Sequence, residues 1–312
     1  MDLVGEAISA MRSGEPRAAR ALLIPPWGLR FNAAGGAGVH VILRGTAWLL
    51  PPDGSEPISL AAGDVALVHR GLPHGLADDP RTPLQDVSAD DHDPSSYWPA
   101  DGSPEDERVP GTVLIGGTYY LNGARPHPLF QSLPDVIHLP ARIGAAATVR
   151  TVVELLGAEM DRDRPGLSAA LPALLDLLLL YTMRTWFEGA RQPTGWARAL
   201  RDPALSAALT AIQDRPAEPW TVASLAAEAS LSRAAFARRF TAVTGQPPLT
   251  YLTWWRMTIA ARLLQTTDSS VQAIGDRVGY RSEYAFSKAF KRQLGLAPAH
   301  YRRRQQAAAE SS

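Results

Sequence analysis

Residues 274–303 read IGDRVGYRSEYAFSKAFKRQLGLAPAHYRR, and their spacing predicts a short helix, a tight turn and a second helix. Ser282, just after the turn, is a typical N-cap for the second helix. Phe286 and Phe290 are four residues apart, so we expect both on its buried face. The outward positions are then Glu283, Tyr284, Ser287, Lys288 and Lys291, and these two lysines are the only ones in the 312 residues.

The same pattern occurs earlier, in residues 224–245, which read SLAAEASLSRAAFARRFTAVTG. Ser232 is the predicted N-cap there, and Phe236 and Phe240 take the buried positions. The outward positions are Arg233, Ala234, Ala237, Arg238 and Thr241. Together with a long connecting helix over 248–266, the two stretches predict an all-helical domain with two helix-turn-helix motifs.

Charge is divided along the chain. Residues 1–190 carry 14 arginines against 23 acidic residues, whereas residues 191–312 carry 17 basic residues against 8 acidic ones. The whole chain has a formal net charge of zero. A basic half in an otherwise neutral chain favours a polyanionic partner for the helical part.

Short apolar runs separated by turn residues occupy the N-terminal part. Residues 38–50, 58–71 and 111–121 have the composition of strands, which predicts an all-β barrel or sandwich over 22–140. Residues 76–110 contain ten acidic residues and six prolines, so we expect a surface excursion there.

Residues 146–190 change to a helical period. Val149, Val153 and Leu156 follow one face, and the segment 167–188 is apolar nearly all round. A helix this apolar must be covered either by its own domain or by the same helix of a second copy. We favour the second alternative, a homodimer through 146–190, because twofold dimers are the commonest oligomers.

Composition excludes several kinds of site and of protein. Cysteine is absent, which rules out disulfides, thiolate catalysis, iron–sulfur clusters and cysteine zinc sites. The first residues, MDLVGEAISAMRSGEP, lack the basic flank and the apolar core of a signal peptide. The longest apolar run, residues 174–183, is short for a membrane span and contains Asp176. We expect a cytoplasmic protein with no membrane partner.

Residues 224–257 and 274–303 resemble the AraC/XylS family of bacterial transcription regulators. The similarity includes the Gly-Tyr pair before the second helix of the later motif, the F-x-K-x-F-K spacing of Phe286, Lys288, Phe290 and Lys291 within that helix, and the closing P-x-x-Y-R. The resemblance implies a regulator that binds double-stranded DNA at a promoter or operator and that contacts RNA polymerase.

The resemblance also implies which side chains reach the DNA. The implied contacts are Arg233, Ala234, Ala237, Arg238, Arg239, Glu283, Tyr284, Ser287, Lys288, Lys291 and Arg292, with Arg256 and Arg302 to Arg304 as further phosphate contacts. Lys288 can donate to guanine and Glu283 can accept from cytosine N4. Ala234 and Ala237 can only pack on a thymine methyl, so the first helix is expected to read little sequence.

The N-terminal half is similar to the cupin-type sensor domain of some of these regulators, through PWGLRF (26–31), GVHVILRGTAWL (38–49) and LAAGDVALVHRGLPHGLAD (60–78). Metal-binding cupins usually offer a His-x-His pair, a nearby Glu and a later His. Here Ile42 stands where the second His would be, and His69, His127 and His138 lack any motif. We therefore predict no metal or cofactor and a small-molecule effector, with Trp27, His40, Trp48 and His74 as its candidate ligand-binding residues.

Two other classes of protein remain as alternatives: a metal-dependent cupin enzyme fused to a DNA-binding domain, and an architectural DNA binder that responds to no ligand. The incomplete ligand set argues against the first and the acidic N-terminal half against the second, so no catalytic residue is assigned. The predicted fold class is α+β with two domains. The predicted parts are a cupin-like sensor β-barrel over 1–145, a helical dimerisation segment over 146–190, a linker over 191–201, an all-α DNA-binding domain over 202–304 and a disordered tail over 305–312.

Overall fold

Two five-stranded sheets form the N-terminal part of the chain in the computed structural model. The structure describes residues 3–12, 14–32, 36–87, 110–120, 127–131, 133–141, 147–160, 165–189 and 195–310. The strands are β1 (Arg17–Leu23), β2 (Gly28–Phe31), β3 (Ala37–Arg44), β4 (Thr46–Leu50), β5 (Ile58–Ala61), β6 (Val65–Val68), β7 (His74–Ala77), β8 (Gln85–Val87), β9 (Thr112–Tyr119) and β10 (Val136–Leu139). One sheet has the order β1-β9-β3-β6-β10, and the other has the order β5-β4-β7-β2-β8.

The core of this part lies between the two sheets. Ile42 and Leu114 of the first sheet and Leu49 and Leu76 of the second belong to one buried cluster. Successive side chains of a strand point to opposite faces, so every second residue of these strands enters the cluster. The sheet-rich, cupin-type architecture expected from the sequence is confirmed. Most of the excursion predicted over 76–110 lies outside the described residues.

Three helices accompany the sheets: α2 (Pro128–Gln131), α3 (Ala147–Met160) and α4 (Leu167–Gly189). The helices α3 and α4 pack on each other and on the first sheet. Tyr119 of β9 donates a hydrogen bond of 2.5 Å from its hydroxyl to the carbonyl of Leu175 in α4, which fixes the helix to the outer face of the sheet. The predicted inner face of α3, including Val149 and Leu156, is buried.

The helix α4 has 23 residues and agrees with the apolar helical segment predicted over 167–188. Among the described residues it is the one helix long and apolar enough to cross a membrane by length and composition, which core helices of globular proteins also are. Leu175 and Leu178 lie in the segment that we expected to form the dimer, but both are fully buried in the single chain. The large apolar side chains that stay exposed on α3 and α4 are Leu155 (49%) and Leu177 (39%).

The rest of the chain is helical. Its helices are α1 (Leu3–Met11), α5 (Gly195–Arg201), α6 (Pro203–Asp214), α7 (Val222–Glu228), α8 (Arg233–Thr244), α9 (Pro248–Thr266), α10 (Val271–Arg277), α11 (Glu283–Leu294) and α12 (Pro298–Glu310). The central helix α9 contacts α8, α10, α11 and α12. The predicted two-domain α+β class is thus confirmed, with sheets in one unit and helix-turn-helix motifs in the other.

The chain divides into two compact units, one formed by the described residues of 1–11 and 191–312 and the other by those of 12–190. The first helix, α1, therefore belongs with the helical unit, where Val4, Ile8 and Met11 are buried and α1 packs on α6 and α9. Arg262 also donates from Nη1 to the Ser9 hydroxyl at 3.1 Å. The sensor part predicted over 1–145 includes these residues, because no local pattern separates α1 from the strands that follow it.

Two short predicted segments differ from the structure. The predicted linker 191–201 contains α5, because Trp196 in it is a core residue whose ring lies 5.7 Å from that of Tyr251. The tail predicted to be disordered from residue 305 continues the helix α12 through Glu310. The segment reads RRQQAAAE from Arg303, and alanine and glutamine have high helix propensity.

Candidate DNA-binding surface and effector site

The helix α8 presents its basic face to solvent because its aromatic face is buried. Ser232 caps the helix by accepting from the backbone N–H of Ala235 at 3.3 Å, as the sequence predicted. Phe236 and Phe240 are fully buried. Of the predicted DNA contacts on this helix, Arg233, Ala234, Arg238 and Arg239 are exposed and Ala237 is half-buried.

The helix α11 repeats this geometry. Ser282 accepts from the N–H of Ala285 at 3.2 Å, and Phe286 and Phe290 are fully buried. The exposed predicted contacts are Glu283, Tyr284, Lys288, Lys291 and Arg292, while Ser287 is half-buried. Tyr284 has 77% of its surface exposed, an unusual state for an aromatic side chain.

Gly279 and Arg256 connect the second helix-turn-helix motif to the loop that precedes the first helix-turn-helix motif. Gly279 has φ +83°, and a Cβ there would lie 2.6 Å from the carbonyl oxygen of Ala217, so only glycine fits this turn. Arg256 of α9 donates from Nε to the Pro216 carbonyl at 2.7 Å and from Nη2 to the Glu218 carbonyl at 2.8 Å. Its guanidinium also lies 5.9 Å from the ring centre of Tyr280. Arg256 therefore holds the two motifs together, a role that we did not predict.

Several arginines that were predicted to contact phosphates bind acceptors within the helical unit. Arg239 lies 2.6 Å from the carboxylate of Asp202, which itself caps α6 through the N–H groups of Ala204 and Leu205. Arg302 donates to the carbonyls of Leu264 and Ser269. Arg239, Arg256 and Arg302 thus stabilise the helical unit. The sequence instead predicted that their side chains are free to contact phosphates. Lys291, Arg292, Arg303 and Arg304 remain exposed.

Two of the predicted ligand residues meet between the sheets. His40 of β3 and His74 of β7 lie on facing sheets, and their Nε2 atoms are 2.7 Å apart. Nδ1 of His74 lies 2.7 Å from the carbonyl oxygen of Leu72. The ring of Phe31 is 4.8 Å from the His40 ring and 5.0 Å from the His74 ring. Phe31 was missed by the sequence analysis, because only the register of β2 with β7 places it opposite His74.

The two predicted tryptophans have different positions. Trp27 belongs to the buried cluster between the sheets, and its indole nitrogen is buried without a hydrogen-bond partner in the described structure. Ala47 and Leu49 of β4 point into the same cluster, so Trp48 between them points to the opposite face. The structure therefore does not bring Trp48 together with His40 and His74.

The described residues contain no group of three or more His, Asp or Glu side chains that could hold a metal ion. His138 donates to the buried carboxylate of Asp64 at 2.9 Å, and that carboxylate also accepts from the backbone of Ala61 and Ala141. The carboxylate thus links the turn between β5 and β6 to the end of β10. Burial lowers the pKa of both His40 and His74, which favours two neutral imidazoles.

Comparison with known proteins agrees with both halves of this description. A Cupin family model matches residues 2–188, and a helix-turn-helix domain model matches residues 225–304. An AraC-like transcription regulator of Streptomyces lividans is 33% identical over 304 residues, which cover 97% of this chain and 98% of that protein. The chain belongs to the AraC family of transcription regulators. The AlkR regulator of Acinetobacter baylyi is 32% identical over 284 residues, 88% of this AraC-family chain and 90% of its own.

Among solved structures, the DNA-binding domain of AdpA in complex with a target DNA is 40% identical to this AraC-family protein over 36% of this chain and 99% of that one, with a TM-score of 0.34. The full-length relatives and the helix-turn-helix match show that this protein is an AraC-type DNA-binding transcription regulator. Neither the relatives nor the described residues favour the alternative of a cupin enzyme fused to a DNA-binding domain.

Proposed function

We propose that this regulator reads two adjacent major-groove segments with α8 and α11 and that a small molecule bound between the sheets alters that binding. The proposal rests on the two capped helices with buried phenylalanines and exposed cationic faces. The connecting helix α9 has 19 residues, or about 28 Å, which is close to one turn of the duplex. The DNA site should therefore cover two successive turns on one face.

The two helices are expected to contribute unequally to specificity. Lys288 and Glu283 of α11 can pair with guanine and cytosine edges, whereas Ala234 and Ala237 of α8 offer only methyl groups. Arg238 of α8 is a long, exposed polar side chain that can reach a base. We propose that α11 reads most of the sequence and that Lys291 and Arg292 contact phosphates.

The effector part of the proposal rests on the buried cluster between the sheets. Such a site combines apolar walls with a few polar groups, here the imidazoles of His40 and His74 and the indole of Trp27. Ligand can change transcription only if it favours one state of the protein, so effector and DNA must change each other's affinity.

We further propose a homodimer that uses the exposed face of α3 and α4. Only 28% of the most apolar stretch of α4 is buried in the single chain, which leaves an apolar surface to be covered. We place the protein in the cytoplasm, where it would meet its promoter and RNA polymerase.

The DNA-binding proposal is tested by selection of binding sites from random duplexes with the full-length protein. Replacing Lys288 with Ala should reduce discrimination at one base pair by about 1–3 kcal/mol. Replacing Lys291 with Ala should weaken all sequences alike and reduce the salt slope by about one. A wild-type protein that selects no sequence over random DNA would contradict the proposal.

A further inference from the structure

The hydrogen-bond chain through the two histidines ends on an unpaired nitrogen. The Leu72 carbonyl can only accept, so Nδ1 of His74 carries the hydrogen that it donates over 2.7 Å. Nε2 of the neutral His74 must then accept from Nε2–H of His40. Nδ1 of His40 is left with a lone pair, and it is buried without a hydrogen-bond partner in the described structure.

An unmet acceptor of this kind is uncommon in a protein interior. His40 is only 2% exposed, and most buried polar atoms have a partner. Burial lowers the pKa of both rings, so the pair is neutral at pH 7 and the lone pair stays available. The atom is thus prepared to accept a hydrogen bond from something that the chain does not itself supply.

The residues beside His40 on its sheet are small. Register places Ala19, Gly116, His40 and Ala66 in one row across β1, β9, β3 and β6. Gly38 is the next residue on the same face, and a Cβ there would have only the histidine rings as nearest neighbours, at 3.5 Å or more. On these four strands, the side chains beside His40 are thus no larger than a methyl group.

Gly38 lies toward one end of the sheets. It pairs with Thr118 on one side and Val68 on the other, and Val68 pairs with Val136. Gly38, Thr118 and Val136 are half-buried, whereas Val68 and, in the next row, His40 are buried. The histidine pair therefore lies one row from the less buried end of the sheets.

An uncharged group suits the buried nitrogen of His40. A carboxylate placed beside Nδ1 would face its lone pair and has no hydrogen to donate to it. The indole N–H of Trp27, in the buried cluster between the sheets, is also unpaired and offers a donor. We propose that His40 Nδ1 accepts a hydrogen bond from the hydroxyl or N–H group of an uncharged effector. This inference rests on the proposed effector site and names its ligand class.

The test compares matched probes on the full-length protein: 1-hexanol, 1-methoxyhexane and hexanoate, and phenol, anisole and benzoate. Affinity is measured by calorimetry, and the imidazole nitrogens are followed by NMR on protein labelled with ¹⁵N-histidine. The alcohols should bind and shift the Nδ1 resonance of His40, whereas the ethers and carboxylates should bind at least about tenfold more weakly.

Three variants locate the site. His40→Phe keeps the ring and removes the acceptor, so alcohol affinity should fall about tenfold or more. Gly38→Ala keeps the histidine pair and adds a methyl group next to its rings, so it should also weaken alcohol binding. His69→Phe is the matched control, because His69 is another buried histidine of the same unit that stacks on Phe130 outside the cluster.

The inference is overturned if an ether binds as tightly as its alcohol, if a carboxylate binds more tightly, or if no alcohol shifts the His40 resonance at millimolar concentration. Its failure is separable from that of the proposed function. A carboxylate that changes the DNA footprint in wild type and in His40→Phe would leave the effector response intact and remove this inference. Alcohols that bind at His40 without changing DNA binding would support this inference and contradict the effector part of the proposed function.

Discussion

At the scale of single residues, Arg239 shows how a basic side chain on a DNA-binding helix can have a structural role. Its partner Asp202 has a side chain that is only 7% exposed, and the carboxylate also caps α6. Removing the guanidinium would leave that buried charge with backbone partners alone. We expect Arg239→Ala to lower the free energy of unfolding by about 1–3 kcal/mol, measured by urea denaturation.

The neighbouring Arg238 provides the control for this prediction. It is exposed, so Arg238→Ala should leave the free energy of unfolding within about 0.5 kcal/mol of wild type while weakening DNA binding. Asp202→Asn retains a capping side chain and should reduce the effect of the Arg239 change in a double-mutant cycle. Equal stability of the Arg238 and Arg239 variants would show that the ion pair contributes nothing.

Local signals predicted the helical unit well at this scale. Ser232 and Ser282 as N-caps and the four buried phenylalanines follow from spacing within one helix, and the structure confirms them. Contacts between distant parts of the sequence could not be predicted in this way. His40 and His74 meet because β3 and β7 lie on facing sheets, and Arg256 reaches residues 216–218 through the packing of α9.

At the scale of elements, α5 is part of the helical unit rather than a linker. Trp196 is 2% exposed, and α5 packs on α6 and α8. A fragment over 195–304 should therefore be more stable than one over 201–304, by about 3–5 kcal/mol, the usual cost of removing a buried tryptophan. Thermal unfolding of the two fragments measures the difference.

A point substitution separates the tryptophan from the rest of α5. Trp196→Ala in the longer fragment should reproduce most of the loss, whereas Trp220→Ala, which removes a half-buried tryptophan stacked against Arg215, should cost less. Identical stability of the two fragments would contradict the assignment of α5 to the core. The sequence does not predict α5, because a helix of seven residues is too short to show a periodic pattern.

At the scale of the whole molecule, the dimer proposal depends on what each subunit leaves uncovered. Leu155→Arg together with Leu177→Arg should give monomers that keep their helical content, because both side chains are exposed in the single chain. Sedimentation equilibrium at tens of micromolar measures the change. Changes at Leu175 or Leu178 would instead disrupt the core of the unit.

Ile24→Arg is the control for the dimer, since Ile24 is an apolar side chain that is 52% exposed outside both helices. It should leave the oligomeric state unchanged. A wild-type protein that sediments as a monomer would remove the proposal, and the exposed leucines would then need another explanation.

The position of the two lysines has a practical consequence for chemical labelling. Lys288 and Lys291 are the only lysine side chains in the 312 residues, and both are exposed on α11. Reagents that acylate amines can therefore react, apart from the α-amino group, only with α11, the helix that we propose reads most of the DNA sequence, and each acyl group on a lysine removes a positive charge. Amine coupling to a sensor chip through either lysine would block this proposed DNA-binding surface, so immobilisation should use a different chemistry or the DNA strand.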